Sequence, residues 1–589
     1  MRNIHDPNQA ELFSPFVGQF SEVQERHLAR GWAGVFRHAV LACLPAEQVS
    51  EHFDPHFGIP TKELYSMVGL VMLAETFHWT AEQAVEHYLF DGLTRYALNR
   101  AGTSDSMSVA SFERYRRILR EDHLAQEIFA TVTDQLCTQL DLDTNAQRLD
   151  STHVFSDMAT LGRTRLMGTC IKRFLTALQR HDVLVYESLP EAIHARYAPS
   201  ANRLFAEIGT DRETRRRLRQ EVAEDLLWLV DRFIDDDDHS GRPTFVALKR
   251  CLYEQCDVSE DRTTVTIRAK TGGAVMQNPS DPDATFDGKK GPGYQVQCSE
   301  TCSDENDVQL TVGAQVQTAV EHDSHAVAPM LDELDERGHL PETMLADTAY
   351  GSDDNVVAAE QRGCDLVSPT AGIPATEDDD VDALGPDDIV TDSDGQIIAC
   401  PAGEKPVDSF IDDQGRAHAV MDGPTCAACP FQRECPMTRH VIKNQDEHNT
   451  DGPRPVITVE PAQRRRHERR RLERTAAFKE QYRRRSGHES CFSGMKRRCR
   501  LGRLRVRGMP SVALSCLLKI TGWNVLRAAA SPRMREQIEK HVRRALRGPS
   551  QPIFGPQAGF QAPCKAIRAL LGLNRSKWTP RMAPASLAA

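Results

Sequence analysis

The sequence predicts an α/β fold built on a mixed sheet with helices packed against it, and three observations predict it. Residues 146–156, AQRLDSTHVFS, read as a strand through Leu149, Val154 and Phe155, with Asp150 in its middle. Residues 263–270, 293–301 and 308–317 (TTVTIRAK, GYQVQCSET and VQLTVGAQVQ) are β-rich and separated by turn residues. Residues 325–337 then have helical spacing, and 344–350, MLADTAY, read as a buried strand running into a loop at Asp347. Strand, strand, strand, helix, strand is the order of a mixed sheet covered by helices.

Around that core the 589 residues divide further, since about 150 residues per domain implies three or four domains. Residues 1–145 form an N-terminal helical region. Within it, 64–98 have helical spacing, and Thr80 with Gln83 makes a capping box opening a new helix after His78 and Trp79. A third helix, 108–119, puts Val109, Phe112, Tyr115 and Leu119 on one face and leaves Arg114, Arg116, Arg117 and Arg120 largely outside it. Such a basic helix suits a DNA major groove, with Arg114 and Arg117 as contacts, and suits a plain bundle with a solvated face equally well. Residues 146–160 hold the first core strand and 161–260 a helical insertion ending beyond the acidic cluster 235–238. Residues 261–375 carry the remaining core strands and helix, and 376–455 an acidic linker followed by a cysteine-bearing unit. Basic helices at 456–545 complete the core, and the Pro-, Gly- and Ala-rich tail 546–589 is expected to be poorly ordered.

Composition narrows the function. Hydrophobic residues make up 40% and charged residues 26%, which excludes a wholly disordered or collagen-like chain. Residues 1–30 lack the pattern of a secretory or transit peptide, so a cytoplasmic, nucleoid-associated protein is expected. The apolar run 509–526 is broken by Lys519, Gly522 and Asn524 and is expected to fall short of a bilayer span, so no membrane partner is predicted. Net charge is −12, yet residues 464–507 hold 18 Lys and Arg against 4 Asp and Glu. That asymmetry suits one polyanion-attracting face, with nucleic acid as the leading partner. It also suits a solvated helix whose arginines pair with Glu468, Glu473 and Glu480.

Phosphodiester chemistry with two divalent cations needs hard oxygen ligands converging from distant parts of a chain, commonly carboxylates at strand ends and on a facing helix. Asp150, Asp347 and Glu489 fit that need. Tyr482, Arg485, Glu489 and Lys496 stand in the spacing Y-x2-R-x3-E-x6-K. On one helix, Tyr482, Arg485 and Glu489 share a face, where Glu489 suits a metal while Arg485 and Lys496 suit phosphates. Gly487 costs such a helix about 1 kcal/mol relative to Ala, which marks a place for a kink. Of the 16 cysteines, Cys400, Cys426, Cys429 and Cys435 cluster as CPAG and CAACPFQREC, a spacing that suits a four-thiolate structural zinc site or four reduced cysteines. His153 and His488 flank the carboxylates and read more readily as structural histidines; Lys289 and Lys290 in GKKGPG could approach DNA or simply be solvated.

At these residues the chain resembles the DDE transposases of bacterial insertion sequences, in the branch carrying a Tyr-Arg-Glu-Lys signature. The resemblance rests on LDSTHV around Asp150, DPDATFDGKKGPGYQVQ at 281–297, ADTAYGS around Asp347 and the four signature residues, and spans about 65–527. It implies a ribonuclease-H-like catalytic core in which Asp150, Asp347 and Glu489 hold two Mg2+ (or Mn2+), and Tyr482, Arg485 and Lys496 meet DNA. The implied activity is cleavage at terminal inverted repeats and joining of the 3' ends to target DNA, with a dimer in the synaptic complex because two ends must meet. A non-catalytic DNA-binding relative and a metal-dependent nuclease without strand transfer are the alternatives. The long helical insertion after the first strand, and the long stretch between Asp347 and Glu489, leave the register of the sheet open.

Overall fold

The computed structural model describes residues 1–7, 16, 20–100, 106–201, 203–206, 211–371, 388–432, 435, 440–442 and 454–547. In the N-terminal region, helix α1 (Leu64–Thr76) is capped by the Glu63 carboxylate, which accepts the Tyr65 and Ser66 N–H groups. His78, at φ +57°, turns the chain, and the expected Thr80/Gln83 capping box opens the helix Ala81–Phe90. Helix α2 (Val109–Glu121) starts at its Ser108 cap and buries Phe112, Tyr115, Ile118 and Leu119. Its arginines are in part engaged by the protein: Arg114 lies 4.5 Å over the Phe53 ring and Arg116 pairs with Glu75 at 2.8 Å, while Arg117 is exposed. Helix α3 (Ala125–Leu140) then leads into the sheet.

Five strands make the main sheet: β1 (Ala146–Val154), β2 (Gly291–Thr301), β3 (Thr311–Thr318), β4 (Thr343–Ala346) and β5 (Asp365–Val367). Their order is β3-β2-β1-β4-β5, and a short strand, Thr285–Asp287, adds to the start of β2. The first three strands run antiparallel and the last two parallel to β1, a mixed arrangement compatible with a ribonuclease-H-like domain. Helix α4 (Val327–Glu336) crosses from β3 to β4 and buries Met330, Leu331 and Leu334.

The strand expected at 263–270 does not join this sheet. Val265–Ile267 pairs instead with Cys256–Val258 in a separate hairpin, because Val265 and Ile267 face the insertion's own apolar core. Period-two spacing identifies a strand without identifying its partner. Among the described residues, the insertion runs through six helices between Arg163 and Gln255, packed about Met167, Ile171, Phe174, Leu226, Phe233 and Phe245.

Beyond β5, residues 372–387 of the acidic linker lie outside the described residues, as does the tail from 548. The cysteine-bearing unit contains a small antiparallel sheet of Asp408–Ile411, Ala417–Val420, Arg454–Val459 and His440–Ile442, with Cys400 at a turn before it and Cys426 in the short helix Gly423–Ala428. The chain continues through Pro461–Glu473, α5 (Ala476–Arg483), a 3-10 turn (Arg484–Ser486), α6 (Gly487–Arg498) and α7 (Met509–Ala528).

α7 is 20 residues long and holds an 18-residue stretch with a mean hydropathy of 1.2, so it is long and apolar enough to cross a bilayer, a correction to the shorter span expected. Here 67% of that stretch is buried inside the protein, against α1, α2, α3 and β3. The polar residues that interrupt it have partners there. Asn524 accepts the Thr311 N–H and donates to the Thr311 carbonyl and to Thr133, and Lys519 donates to the Glu75 carbonyl at 2.6 Å. Through α7, one apolar core joins the N-terminal helices to the sheet.

Candidate active site

Strand register brings the first two carboxylates together. In the parallel pairing of β1 with β4, Leu149 stands opposite Ala346, so the next residues, Asp150 within β1 and Asp347 just past the end of β4, lie side by side. Asp150 is four-fifths buried at its side chain, and one oxygen accepts the Ser151 N–H at 2.8 Å. Asp347 is more open, caps the 3-10 turn Thr348–Tyr350 by accepting the Thr348 N–H, and receives the Ser368 hydroxyl on its own carbonyl.

One guanidinium faces both carboxylates. Arg485 Nη2 lies 3.0 Å from Asp150 Oδ2 and 3.2 Å from Asp347 Oδ2. Burial pushes the Asp150 carboxyl above its ordinary pKa; Arg485 and the Ser151 N–H oppose the shift, while Asp347 and Asp323 add to it. The cation thus offsets the repulsion between two close acids in a partly dry site. Asp323, whose charge reaches Asp150 and which accepts from Gln297 Nε2 at 2.8 Å, is an acidic neighbour that no motif marked.

The signature residues do not lie on one continuous helix. Tyr482 lies in the last turn of α5, Arg485 sits in the 3-10 turn, and Glu489 and Lys496 belong to α6. The expected kink is a tightened turn, since Arg483, Arg484, Ser486 and Gly487 all keep right-handed helical angles. Tyr482 stacks on Phe478, centroids 5.6 Å apart, and packs on Cys302, Leu345 and Val367 at the face of the sheet. Glu489 is exposed in the first turn of α6, a helix that packs against β1. Lys496 runs past Gly502, and partial burial with the charge of Lys290 holds it below the ordinary lysine pKa. Lys290 therefore shares a corner with Lys496, while the Lys289 and Lys290 N–H groups close their turn on Asp287.

Asp150 and Asp347 thus form a pair faced by Arg485, and Glu489 does not complete a metal-holding group with them. Among the described residues, no three His, Cys, Asp or Glu side chains stand in such an arrangement. The same holds for the cysteines, although Cys426 has Cys400, Cys429 and Cys435 near enough that burial and their charges together raise its thiol pKa. None of the four is in a disulfide.

His488 is fully buried, stacked on Phe492 and kept neutral by burial beside Arg148 and Arg485. His153 is buried too, its Nε2 facing the Pro292 carbonyl at 3.4 Å.

Part of the basic run is turned inward. Arg465 makes a two-pronged pair with Asp353 at 3.0 and 2.6 Å, and Arg469 donates to the Gly351 and Ser368 carbonyls. Of the three expected glutamate partners, Glu480 pairs with Arg483 at 2.8 Å, whereas Glu473 accepts the Thr370 N–H. These arginines dock the Pro461–Glu473 helix on the loops that follow β4 and β5, a role that charge counting does not reveal.

With this geometry in place, the comparisons with known proteins bear on one part of the chain. Residues 399–529 match the family model of a transposase DDE domain. The match takes in the cysteine cluster and all four signature residues, supports a DDE transposase, and leaves Asp150 and Asp347 outside its span. No curated protein and no solved structure matched the chain.

Proposed function

We propose that the chain is a DDE transposase of the Tyr-Arg-Glu-Lys branch, which cleaves its element at terminal inverted repeats and joins the 3' ends to target DNA. The observation that carries this is the strand register that sets Asp150 beside Asp347, two residues far apart in sequence. The match at 399–529 supplies independent support from the other half of the site.

The donor set suits hard divalent cations: two carboxylates near enough to share one nitrogen, with Glu489 on the adjoining helix. Asp150 and Asp347 would hold Mg2+ or Mn2+, with Glu489 completing the set only by moving toward them on α6, and the bound ion would supply charge to activate an attacking hydroxyl and to stabilise the leaving oxygen. The chain's own residues do the rest. Arg485 is the nearest cation to the aspartates and swings onto a DNA phosphate, where its planar fork matches two oxygens. Lys496 and Lys290 add charge beside the same strand, and Tyr482 and Phe478 keep the signature turn seated on the sheet. Arg117 and the outward arginines of the basic helices track the backbone, and two protomers hold two ends.

The deciding experiment incubates the protein with Mg2+ or Mn2+ and DNA whose ends are the inverted repeats flanking its reading frame. Cleaved ends joined to a second DNA support the reading; a band shift without cutting leaves a binder, and cutting without joining leaves a nuclease.

Two further results are expected. Because Arg485 and a metal ion compete for Asp150 and Asp347, Arg485→Ala binds Mn2+ about tenfold more tightly than the wild type without DNA, as read by electron paramagnetic resonance. Unchanged affinity would show that the guanidinium does not occupy the metal's place. The cysteine unit is proposed to hold one structural Zn2+, so the purified protein should contain about one zinc per chain, lost in Cys426→Ser/Cys429→Ser. Metal analysis showing no zinc in freshly purified protein would leave four reduced thiols.

A further inference from the structure

We propose that Arg148 is a positioning residue for this site: a buried strut, braced by Glu300, that sets the turn bearing Arg485 and the start of α6 against the strand bearing Asp150. The inference rests on the site reading given above. Arg148 and Asp150 are two residues apart on β1 and so point to the same face of the sheet. Glu300 is the cross-strand partner of Arg148 on β2. The two side chains meet at 2.8 Å through Nε and 2.6 Å through Nη2, and both are almost wholly buried.

The remaining nitrogen reaches out of the sheet. Arg148 Nη1 donates at 2.9 Å to the carbonyl of Arg484, the first residue of the 3-10 turn. It also lies where a Cβ on Gly487 would be, so the first residue of α6 has no room for a side chain. One guanidinium therefore touches β2, the turn and the start of α6, while its own backbone belongs to the Asp150 strand. The chemistry explains why arginine stands here. Its planar fork meets a carboxylate oxygen with one edge and a backbone carbonyl with the other, which a lysine ammonium on a flexible stem cannot match in that geometry.

A buried ion pair is a poor way to gain stability, since an apolar pair of similar volume often does as well or better. Its yield here is orientation. The 3-10 turn packs on β4, α6 packs on β1, and Arg148 ties both at the place where Arg485 faces Asp150 and Asp347. Gly487 has its reason in the same contact.

The test is a cycle between the strut and Arg485, whose replacement by Ala is expected to raise Mn2+ affinity about tenfold in otherwise wild-type protein. In Arg148→Met/Glu300→Leu, folded with a melting temperature near that of the wild type, kcat for end cleavage should be down at least a hundredfold with KM for the DNA end within threefold. Adding Arg485→Ala to that background should change Mn2+ affinity less than twofold, because the guanidinium is already out of place. Arg148→Lys should recover only part of kcat. Gly487→Ala, which leaves the ion pair's residues present, should reproduce the kcat loss while the protein stays folded at the assay temperature, and it carries the test if the double variant does not fold. An undiminished Arg485→Ala effect in the strut-free background, or full kcat in Gly487→Ala, would overturn the proposal. If Asp150→Asn and Asp347→Asn change neither metal binding nor cleavage of the wild type, the site reading itself fails.

Discussion

Asp150→Asn and Asp347→Asn are each expected to lower end cleavage by on the order of a thousandfold or more, equivalent to about 4 kcal/mol of transition-state stabilisation, with binding to the DNA ends within a few-fold of wild type. The physical basis is the pairing that sets Asp150, in the middle of β1, beside Asp347, just past the end of β4. An amide in place of either carboxylate keeps the shape, removes a hard anionic donor and leaves Arg485 one partner short. A second readout separates chemistry from folding. Since burial disfavours the charged form of Asp150, Asp150→Asn should melt no lower than the wild type. Cleavage retained by either variant would remove that residue from the site, and a lowered melting temperature with lost DNA binding would recast it as structural.

The largest stability effect is expected far from that site, at Glu75. Its carboxylate is paired with Arg116 at 2.8 Å, accepts the Ser515 hydroxyl at 2.6 Å and lies 3.6 Å from Lys519, with Lys519 almost wholly buried. This cluster ties α1 and α2 to α7. Glu75→Leu leaves the Lys519 ammonium buried without its counter-ion and should destabilise the protein by about 3–5 kcal/mol in chemical denaturation. Burial alone would raise the Glu75 pKa, but Lys519, Arg116, Ser515 and His78 outweigh it and hold the carboxyl below its ordinary value. A depressed carboxyl contributes stability above its unfolded pKa of about 4.3, and that contribution is lost as pH falls through the lower folded value. The gap between wild type and Glu75→Leu should therefore be full at pH 6–7 and shrink below about pH 4. A gap independent of pH would mean that the carboxylate's charge is not what is lost.

Local rules carried much of the fold. The strand around Asp150, the capping box at Thr80, the helix begun at Ser108 and the loop at Asp347 all follow from side-chain period, caps and turn chemistry, which act within a few residues. The errors came where a local pattern needed a distant partner. The spacing of 263–270 shows a strand, but only the packing of Val265 and Ile267 on the insertion assigns it to a separate hairpin. The run 509–526 is interrupted by Lys519 and Asn524 in sequence, and those are the residues whose hydrogen bonds tie α7 into the core. Arginines at 465 and 469 counted as charge for DNA, and the tertiary structure spends them on Asp353 and the carbonyls of Gly351 and Ser368.

The candidate site divides along the same line. Sequence by itself determined which residues have the right chemistry: two aspartates in strand-like runs, and a tyrosine, an arginine, a glutamate and a lysine at fixed spacing. Tertiary structure alone decided their arrangement. It set Asp150 beside Asp347 through strand register, put Arg485 between them, broke the signature into two helices joined by a tight turn, and braced that turn with Arg148 and Glu300. The reason is physical: residue type and local period are properties of a short segment, whereas register and the pairing of buried charges exist only once segments distant in the chain have been brought into contact.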